Sequence, residues 1–474
     1  ESESNTLPYT FLRVVPNDYV PPSSLHRPLC MSMRDVFSDP QLRKCALFSY
    51  NYDTAWLLDC FSPSIESIVA VCQEGCVLAP SPNHPLASRV QYIQVQMRPY
   101  TSHHTKMAIC YYADNTARIL LPSNNYMPGE VQYPQQVLWR SCPLQWANRS
   151  CPSPCPSPPR NSNNAFARGL LGYLGAYGES NRAQVERLVA RDVYGIDFAP
   201  LCNVPFVYSA PGLGGLSTLA REIRGEVPLH GRATRYMLAQ ASSIGGEVLR
   251  RGHKALFPDV WVGQLRDTPT VRGQLRDTPT VRGQLRDTPT VPHILYPTLQ
   301  QVVQSPRMIN AAGWFHCGAQ RSPEMHARLR SNGVFVKSPG GTVPSHSKFY
   351  MQWGDSGEGP LCIASTLDWC LYTSANLSKV AWGLGEGGAK PQNYEAGVLL
   401  RGPVHCTTFE EKLRGTRLGG ASSSQRYSNS VTLPYPRELV QYEEGDVPTD
   451  AGLLDALRQG ARSGAGSGAG SGAH

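Results

Sequence analysis

The sequence predicts an α/β protein made of two similar halves that share one pseudo-twofold site. Three observations carry this. The chain has 474 residues, 41% apolar and only 17% charged, which is enough to bury large cores and excludes global disorder. Segments with strand and helix patterns alternate along it. One small constellation, a His-x-Lys pair followed by a Ser/Asn phrase, occurs twice in the same order. Length alone would suit two or three domains, and the repetition favours one duplicated unit.

The elements follow from local pattern. ALFSYNYDTAWLLDCF, from residue 46 to 61, begins as a strand and continues as a helical run. In VQYIQVQM, Ile93, Val95 and Met97 alternate with polar residues, as a half-buried strand requires. KMAICYY and ARILL flank the turn signal Asp114-Asn115 and form a hairpin. Phe166, Leu170, Tyr173 and Tyr177 recur at helical spacing, with Asn163 or Asn164 as the N-cap. CIASTLDWCLYT and EAGVLL return to strand patterns.

Four segments carry little structural information. Residues 143–164 are rich in Pro, Ser and Asn and read as a loop. Residues 263–291 repeat GQLRDTPTV(R), too short a unit to bury a face, and read as an expanded surface loop. Residues 416–430 are rich in Ser and Gly, and the final SGAGSGAGSGAH resembles a flexible artificial linker. The first residues, ESESNTLPYTF, lack the basic and apolar regions of a signal peptide, and the initial Glu points to a fragment.

Other classes are set aside on composition. No apolar stretch is long enough to span a bilayer. The fourteen cysteines show no paired C-x2-C spacing, so no metal is expected and free thiols in a reducing compartment are. A net charge of +8 is compatible with a polyanionic partner without requiring one.

The doubled constellation carries the chemistry. SHHTKMAICYY holds His104 and Lys106; VPSHSKFYMQW holds His346 and Lys348. Residues i and i+2 of an extended segment share a face, so each pair presents an imidazole beside an ammonium. LPSNNYM then supplies Ser123 and Asn124, and YTSANLSKVAWG supplies Ser374, Asn376 and Ser378. Two imidazoles, two ammonium groups and two amides converge only if the halves pack face to face. Such a set suits phosphodiester cleavage without a metal. Lysines and amides clamp the non-bridging oxygens, one histidine attacks phosphorus, and the other serves as acid and base. Nothing in the pattern resembles the carboxylate cluster of a two-metal nuclease.

From about residue 29 to about residue 437 the chain resembles the phospholipase D superfamily, whose motif is H-x-K-x4-D followed by G-S-x-N. The motif Asp falls at Tyr111 and Trp353 and is missing from both halves. That double absence, with SHHTKM, TSANLSKVAWG, NYEAGVLL, LFSYNYDTAWLL and HILYP, marks a resemblance to tyrosyl-DNA phosphodiesterases of the type I class.

The resemblance implies two α/β/α halves and a set of roles. His104 is implied as the nucleophile, with Lys106 and Asn124 on the phosphate. His346 is implied as general acid and base, with Lys348 and Asn376. Glu395 would orient His104, and Gln136 (or its neighbour Gln135) would orient His346. Tyr100 would stack on a DNA base, while Ser242, Ser243 and Ser378 would hold DNA phosphates. The implied substrate is a 3′-blocked DNA end, single-stranded for preference, joined to a topoisomerase I peptide. No cofactor and no membrane are implied. A monomer is expected, in the nucleus, with the cytoplasm as a second location.

The expected layout has an N-terminal extension (1–28), a first half (29–142 and 165–200), a second half (201–437) and a C-terminal tail (438–474). The family's Trp-rich C-terminal segment is replaced by YEEGDVPTDAGLLDALRQGARSG, so the wall facing the protein part of the substrate is expected to be incomplete. The competing readings are a general phospholipase D-type nuclease or lipid phosphodiesterase, and a DNA-end-binding protein with impaired turnover.

Overall fold

In the computed structural model, which describes residues 7–147, 163–224, 234–245, 261, 290–304, 306–317, 327, 329–340, 342–384, 387–417 and 429–456, one arrangement of seven strands occurs twice. The first set is Tyr9–Val15 (β1), Leu42–Ser49 (β2), Ser67–Gln73 (β3), Val90–Val95 (β4), Met107–Tyr112 (β5), Thr116–Pro122 (β6) and Gln136–Ser141 (β7). The second is Phe206–Ala210 (β8), Arg235–Gln240 (β9), Thr290–Leu295 (β10), Phe335–Lys337 (β11), Lys348–Gly354 (β12), Thr366–Thr373 (β13) and Glu395–Thr408 (β14). The first sheet runs β1-β7-β6-β5-β2-β3-β4 and the second β8-β14-β13-β12-β9-β10-β11. Among these seven strands of the first sheet, the junctions are antiparallel except β2-β3 and β3-β4, which are parallel. The seven strands of the second set follow the same scheme, with β9-β10 and β10-β11 parallel and the other junctions among them antiparallel. Each strand of the first half thus has its counterpart seven strands later.

Burial explains the strand sequences. In β5, Ile109 faces one core while Ala108 and Cys110 face another, so the strand reads as a continuous apolar run. Strand β4, at the edge of the sheet, buries Ile93 and Val95 on one face and exposes Gln94 between them on the other, and therefore alternates. The inner faces of both sheets share one core. There Phe11 of β1 meets Phe349 (6.2 Å) and Tyr372 (5.6 Å) of the other sheet. Tyr372 also carries its hydroxyl across, near the carbonyls of Leu121 (3.0 Å) and Val137 (2.7 Å). Short helices cover the outer faces. Met33–Phe37 starts in a capping box between Ser32 and Asp35, and Asp53 caps Thr54–Leu58.

The helix Ala165–Gly175 starts at Asn164, whose side chain accepts from Ala167 N, and buries Phe166, Leu170 and Tyr173 in the shared core. A Cβ on Gly169 would lie 2.1 Å from the Phe206 carbonyl oxygen, so only glycine lets this helix lie against β8. The helix therefore docks on the second sheet and ties the two halves together.

Several expected boundaries move. The segment read as an N-terminal extension, 1–28, contributes β1, the counterpart of β8; its apolar run FLRVV is buried on both faces. Leu144–Gln145 pairs with β6 and Trp146 is buried, so the Pro/Ser loop starts later; residues 148–162 lie outside the described residues. The decamer repeat and the Ser/Gly segment also lie largely outside them, apart from 290–291, which open β10, and the ends of the latter. The tail from 438 begins inside the second half: Val440–Gln441 pairs with β11, Tyr442 stacks on Phe335 at 5.3 Å, and Leu454 is buried with Val302 and Ala312.

If β1 is structural, Phe11→Ala lowers unfolding stability by about 3–5 kcal/mol in urea titration. An unchanged midpoint would return residues 1–28 to a dispensable extension.

Candidate active site

The two His-x-Lys pairs sit where their chains run into β5 and β12, and the other half of the molecule holds each in place. His104 N donates to Tyr394 O at 2.9 Å, and His346 N donates to Gln135 O at 2.9 Å. Tyr394 and Gln135 are the residues just before Glu395 and Gln136, the first residues of β14 and β7. Each half therefore delivers the head of its seventh strand to the histidine of the other.

What arrives differs. Glu395 Oε2 accepts His104 Nδ1–H at 3.0 Å. The carboxylate is buried and also accepts from Ser374 Oγ (2.6 Å) and Asn393 Nδ2 (3.1 Å). A Cβ on Gly397 would lie 2.5 Å from Tyr372 O and 2.6 Å from Thr373 Cβ, so glycine there lets β14 close on β13 and seat Glu395. At the equivalent position Gln136 Oε1 accepts from Ser123 Oγ (2.5 Å) and Nε2 donates to Glu130 O (2.9 Å). These partners fix the amide, because turning it would set two carbonyl oxygens against each other. Gln136 Nε2 then faces His346 Nδ1 at 3.4 Å.

The partners set the protons. With Nδ1–H given to Glu395, a neutral His104 has its lone pair on Nε2. With Nδ1 facing an N–H donor, a neutral His346 carries its proton on Nε2.

The lysines are alike. Lys106 Nζ donates to His104 O (2.8 Å) and Lys348 Nζ to His346 O (2.6 Å), with both side chains buried. Burial pushes the Lys106 ammonium down to about 8, against the pull of Glu395 and Glu130. Burial and then Lys106 hold Lys348 well below its ordinary value, against the pull of Glu130 and Glu395. Burial also lowers both imidazoles. Glu395 opposes this at His104, while Lys348, Lys106 and His104 reinforce it at His346. Burial raises the Glu395 carboxyl, but His104, Lys106 and Ser374 outweigh it, so the group is held below its ordinary value. The site thus concentrates positive charge where water is scarce, and a phosphodiester anion would relieve it.

One expected residue changes. The duplication aligns Ser123 with Ser374, since each hydroxyl serves the head of the seventh strand. Asn125, not Asn124, is then the counterpart of Asn376. Asn125 Oδ1 accepts from Ser49 Oγ and Tyr50 N, as Asn376 Oδ1 accepts from Ser242 Oγ and Ser243 N. The Ser-x-Asn spacing of TSAN, applied to SNN, points to Asn125. Asn124 is also fully buried, and its Nδ2 donates to Asn125 O.

The expected substrate residues separate. Tyr100 lies on no strand. It sits in a turn with φ 64° and is 93% exposed, a costly conformation for an aromatic residue. Ser242 and the Ser243 backbone donate to Asn376 and so position that amide. Ser378 Oγ accepts from Ala381 N as the cap of Lys379–Trp382. His103 is buried between Tyr177, 2.8 Å from its Nε2, and the Tyr394 ring, and burial lowers it to about 4. Sequence reading missed Tyr50, whose ring lies 6.5 Å from that of His104, and Glu130, whose Oε2 lies 3.8 Å from His346 Nδ1. Tyr50 stands inside the phrase LFSYNYDTAWLL, which is a signal for it; Glu130 stands in no such phrase.

Comparison with known proteins finds relatives along most of the chain. A profile of the tyrosyl-DNA phosphodiesterase family matches residues 15–443. Tyrosyl-DNA phosphodiesterase 1 of Saccharomyces cerevisiae is 32% identical over 454 residues, covering 87% of this chain and 79% of the relative. The Drosophila melanogaster protein of the same name is 23% identical over 478 residues, covering 93% and 73%. A crystal structure of the yeast tyrosyl-DNA phosphodiesterase matches with TM-score 0.72 at 28% identity, covering 93% of this chain and 99% of that one. A histidine-to-arginine mutant of the yeast protein gives TM-score 0.74.

Because Lys106 is held at about 8, affinity for inorganic phosphate should fall above pH 8, by up to tenfold per unit, as the ammonium loses its proton. Lys106→Met should bind more weakly and lose that limb. Calorimetric titration across this range reads both, and a limb retained in the variant would assign it to another group.

Proposed function

The chain belongs to the tyrosyl-DNA phosphodiesterase family, and from that premise we propose that it hydrolyses the 3′-phosphotyrosyl bond between DNA and a trapped topoisomerase I peptide through a covalent phosphohistidine. The observation that carries the reading is the unlike pair of partners on two equivalent histidines, Glu395 on His104 and Gln136 on His346. Only His104 keeps a free lone pair on Nε2 in its neutral form, which makes it the nucleophile.

The steps follow from this assignment. His104 Nε2 attacks phosphorus and the bond to the tyrosine oxygen breaks. His346, as an imidazolium, gives its Nε2 proton to the departing phenolate. The ring is left neutral with its remaining proton on Nδ1. Its free Nε2 takes a proton from water as the water oxygen attacks phosphorus. The phosphorus–nitrogen bond breaks, its electron pair returns to His104, and a 3′-phosphate is released. Lys106, Lys348, Asn125 and Asn376 stabilise the charge on the non-bridging oxygens. Positive charge supplied by buried lysines lets the reaction run without a metal.

Tyr100, exposed and held in a strained turn, supports a stacking role on the DNA side, which tolerates any base. A single-stranded 3′ end presents an unpaired base for this. The reading includes a monomer acting in the nucleus, with DNA affinity that weakens as salt rises.

A 3′-phosphotyrosyl oligonucleotide incubated in chelator tests the chemistry. Wild-type protein should yield 3′-phosphate; His104→Ala should give neither adduct nor turnover. His346→Ala should lose about 10²–10⁴-fold in turnover and accumulate adduct when the leaving group is a good one. Equal adduct in both variants, or binding without conversion by the wild type, would overturn the reading.

Tyr100→Ala should raise KM for a single-stranded substrate by about 5–100-fold with kcat nearly unchanged. Steady-state kinetics showing an unaltered KM would leave Tyr100 without a DNA-binding role.

A further inference from the structure

Gln136 serves His346 in only one of its forms. Its amide offers an N–H to Nδ1, so it suits a ring whose Nδ1 is bare. The proposed cycle passes through two forms in which Nδ1 carries a proton: the imidazolium, and the neutral ring left after Nε2 has given its proton away. Gln136 cannot accept that proton while its Oε1 is held by Ser123 and its Nε2 by Glu130 O.

A carboxylate stands beside it. Glu130 is 5% exposed, on the short helix Pro128–Gln132, and its Oε2 lies 3.8 Å from His346 Nδ1. Two short bonds hold it, from Asn125 N to Oε2 and from Asn125 Nδ2 to Oε1, each 2.6 Å. A carboxylate has about four lone-pair sites, so these two bonds leave room for another donor. The charged groups that press on His346 from elsewhere, Lys348, Lys106 and His104, are basic and favour its neutral form. Glu130 is the acidic group on this side. The duplication puts Ala381 at the matching place in the second half, so this carboxylate belongs to the acid/base side alone.

We propose that Glu130 is a positioning residue that accepts the Nδ1 proton of His346 whenever that nitrogen is protonated, while Gln136 serves the ring when it is not. A small rotation of the ring exchanges one partner for the other, and no atom is gained or lost in the exchange. The inference rests on His346 being the acid and base of the proposed function.

Glu130→Gln and Gln136→Leu should act in opposite directions. The test is the pH dependence of kcat, together with its dependence on leaving group for aryl 3′-phosphodiesters from phenol to 4-nitrophenol. Loss of the carboxylate should move the alkaline limb of kcat, where imidazolium is lost, down by about 1–3 pH units. It should slow phenol release by about 10²–10⁴-fold and 4-nitrophenol release far less. Gln136→Leu should move the limb upward. Glu130→Asp, which keeps the charge, should fall between wild type and Glu130→Gln, and carries the test if the latter folds poorly. Equal slowing for all leaving groups with an unmoved limb would show Glu130 to be only a brace for Asn125 and would overturn the inference. If His346→Ala itself shows no leaving-group dependence, the acid/base reading has failed instead, which separates the two.

Discussion

The hydrogen bond from His104 to Glu395 joins residues that lie on different sheets, at 3.0 Å in a buried setting. Its counterpart joins His346 to Gln136 in the opposite sense. Neither pair exists within one half. The site therefore depends on the halves meeting in a fixed register. The Tyr394–His104 and Gln135–His346 backbone bonds, the Phe11, Phe349 and Tyr372 cluster and the helix wedged by Gly169 all act to fix it. A shift of one residue in either seventh strand would turn the head residue away from its histidine.

Within this near-symmetry, function comes from its breaking. Strand order, pairing direction, lysine placement and the Ser-x-Asn turns repeat, so each half brings the same set of polar parts to the site. The head of the seventh strand does not repeat. A carboxylate there gives a histidine that holds its proton at the back; an amide gives one that holds it at the front. Burial, and after it the two buried lysines, make both rings reluctant to charge, so the neutral tautomer matters. On the proposed reading, this one side-chain difference separates nucleophile from acid and base.

Much of this was legible in the sequence because it was local. The His-x-Lys spacing, the TSANLSKVAWG and NYEAGVLL phrases and the alternation in VQYIQVQM each show within a dozen residues. The resemblance they carried extended to Glu395 and Gln136, which no spacing would have joined to their histidines. The rest was hidden by distance. From sequence β1 reads as an extension because its partner, β7, lies more than a hundred residues on, though its apolar run is visible. The packed tail has buried residues, Leu439, Tyr442 and Leu454, that follow no period. The sequence reading takes Asn124 because it directly follows Ser123; the Ser-x-Asn spacing shared with TSAN and the bonds to Ser49 and Tyr50 point to Asn125. Glu130 looks like any helix-start acid until the fold sets it beside a histidine from the other half.

The claim at the centre is that two equivalent histidines hold opposite tautomers in the free protein. Nitrogen-15 NMR of the imidazole rings, at a pH where both are neutral and with signals assigned by His104→Ala and His346→Ala, measures this directly. The account predicts a proton on Nδ1 of His104 and on Nε2 of His346. The same tautomer in both rings would contradict it.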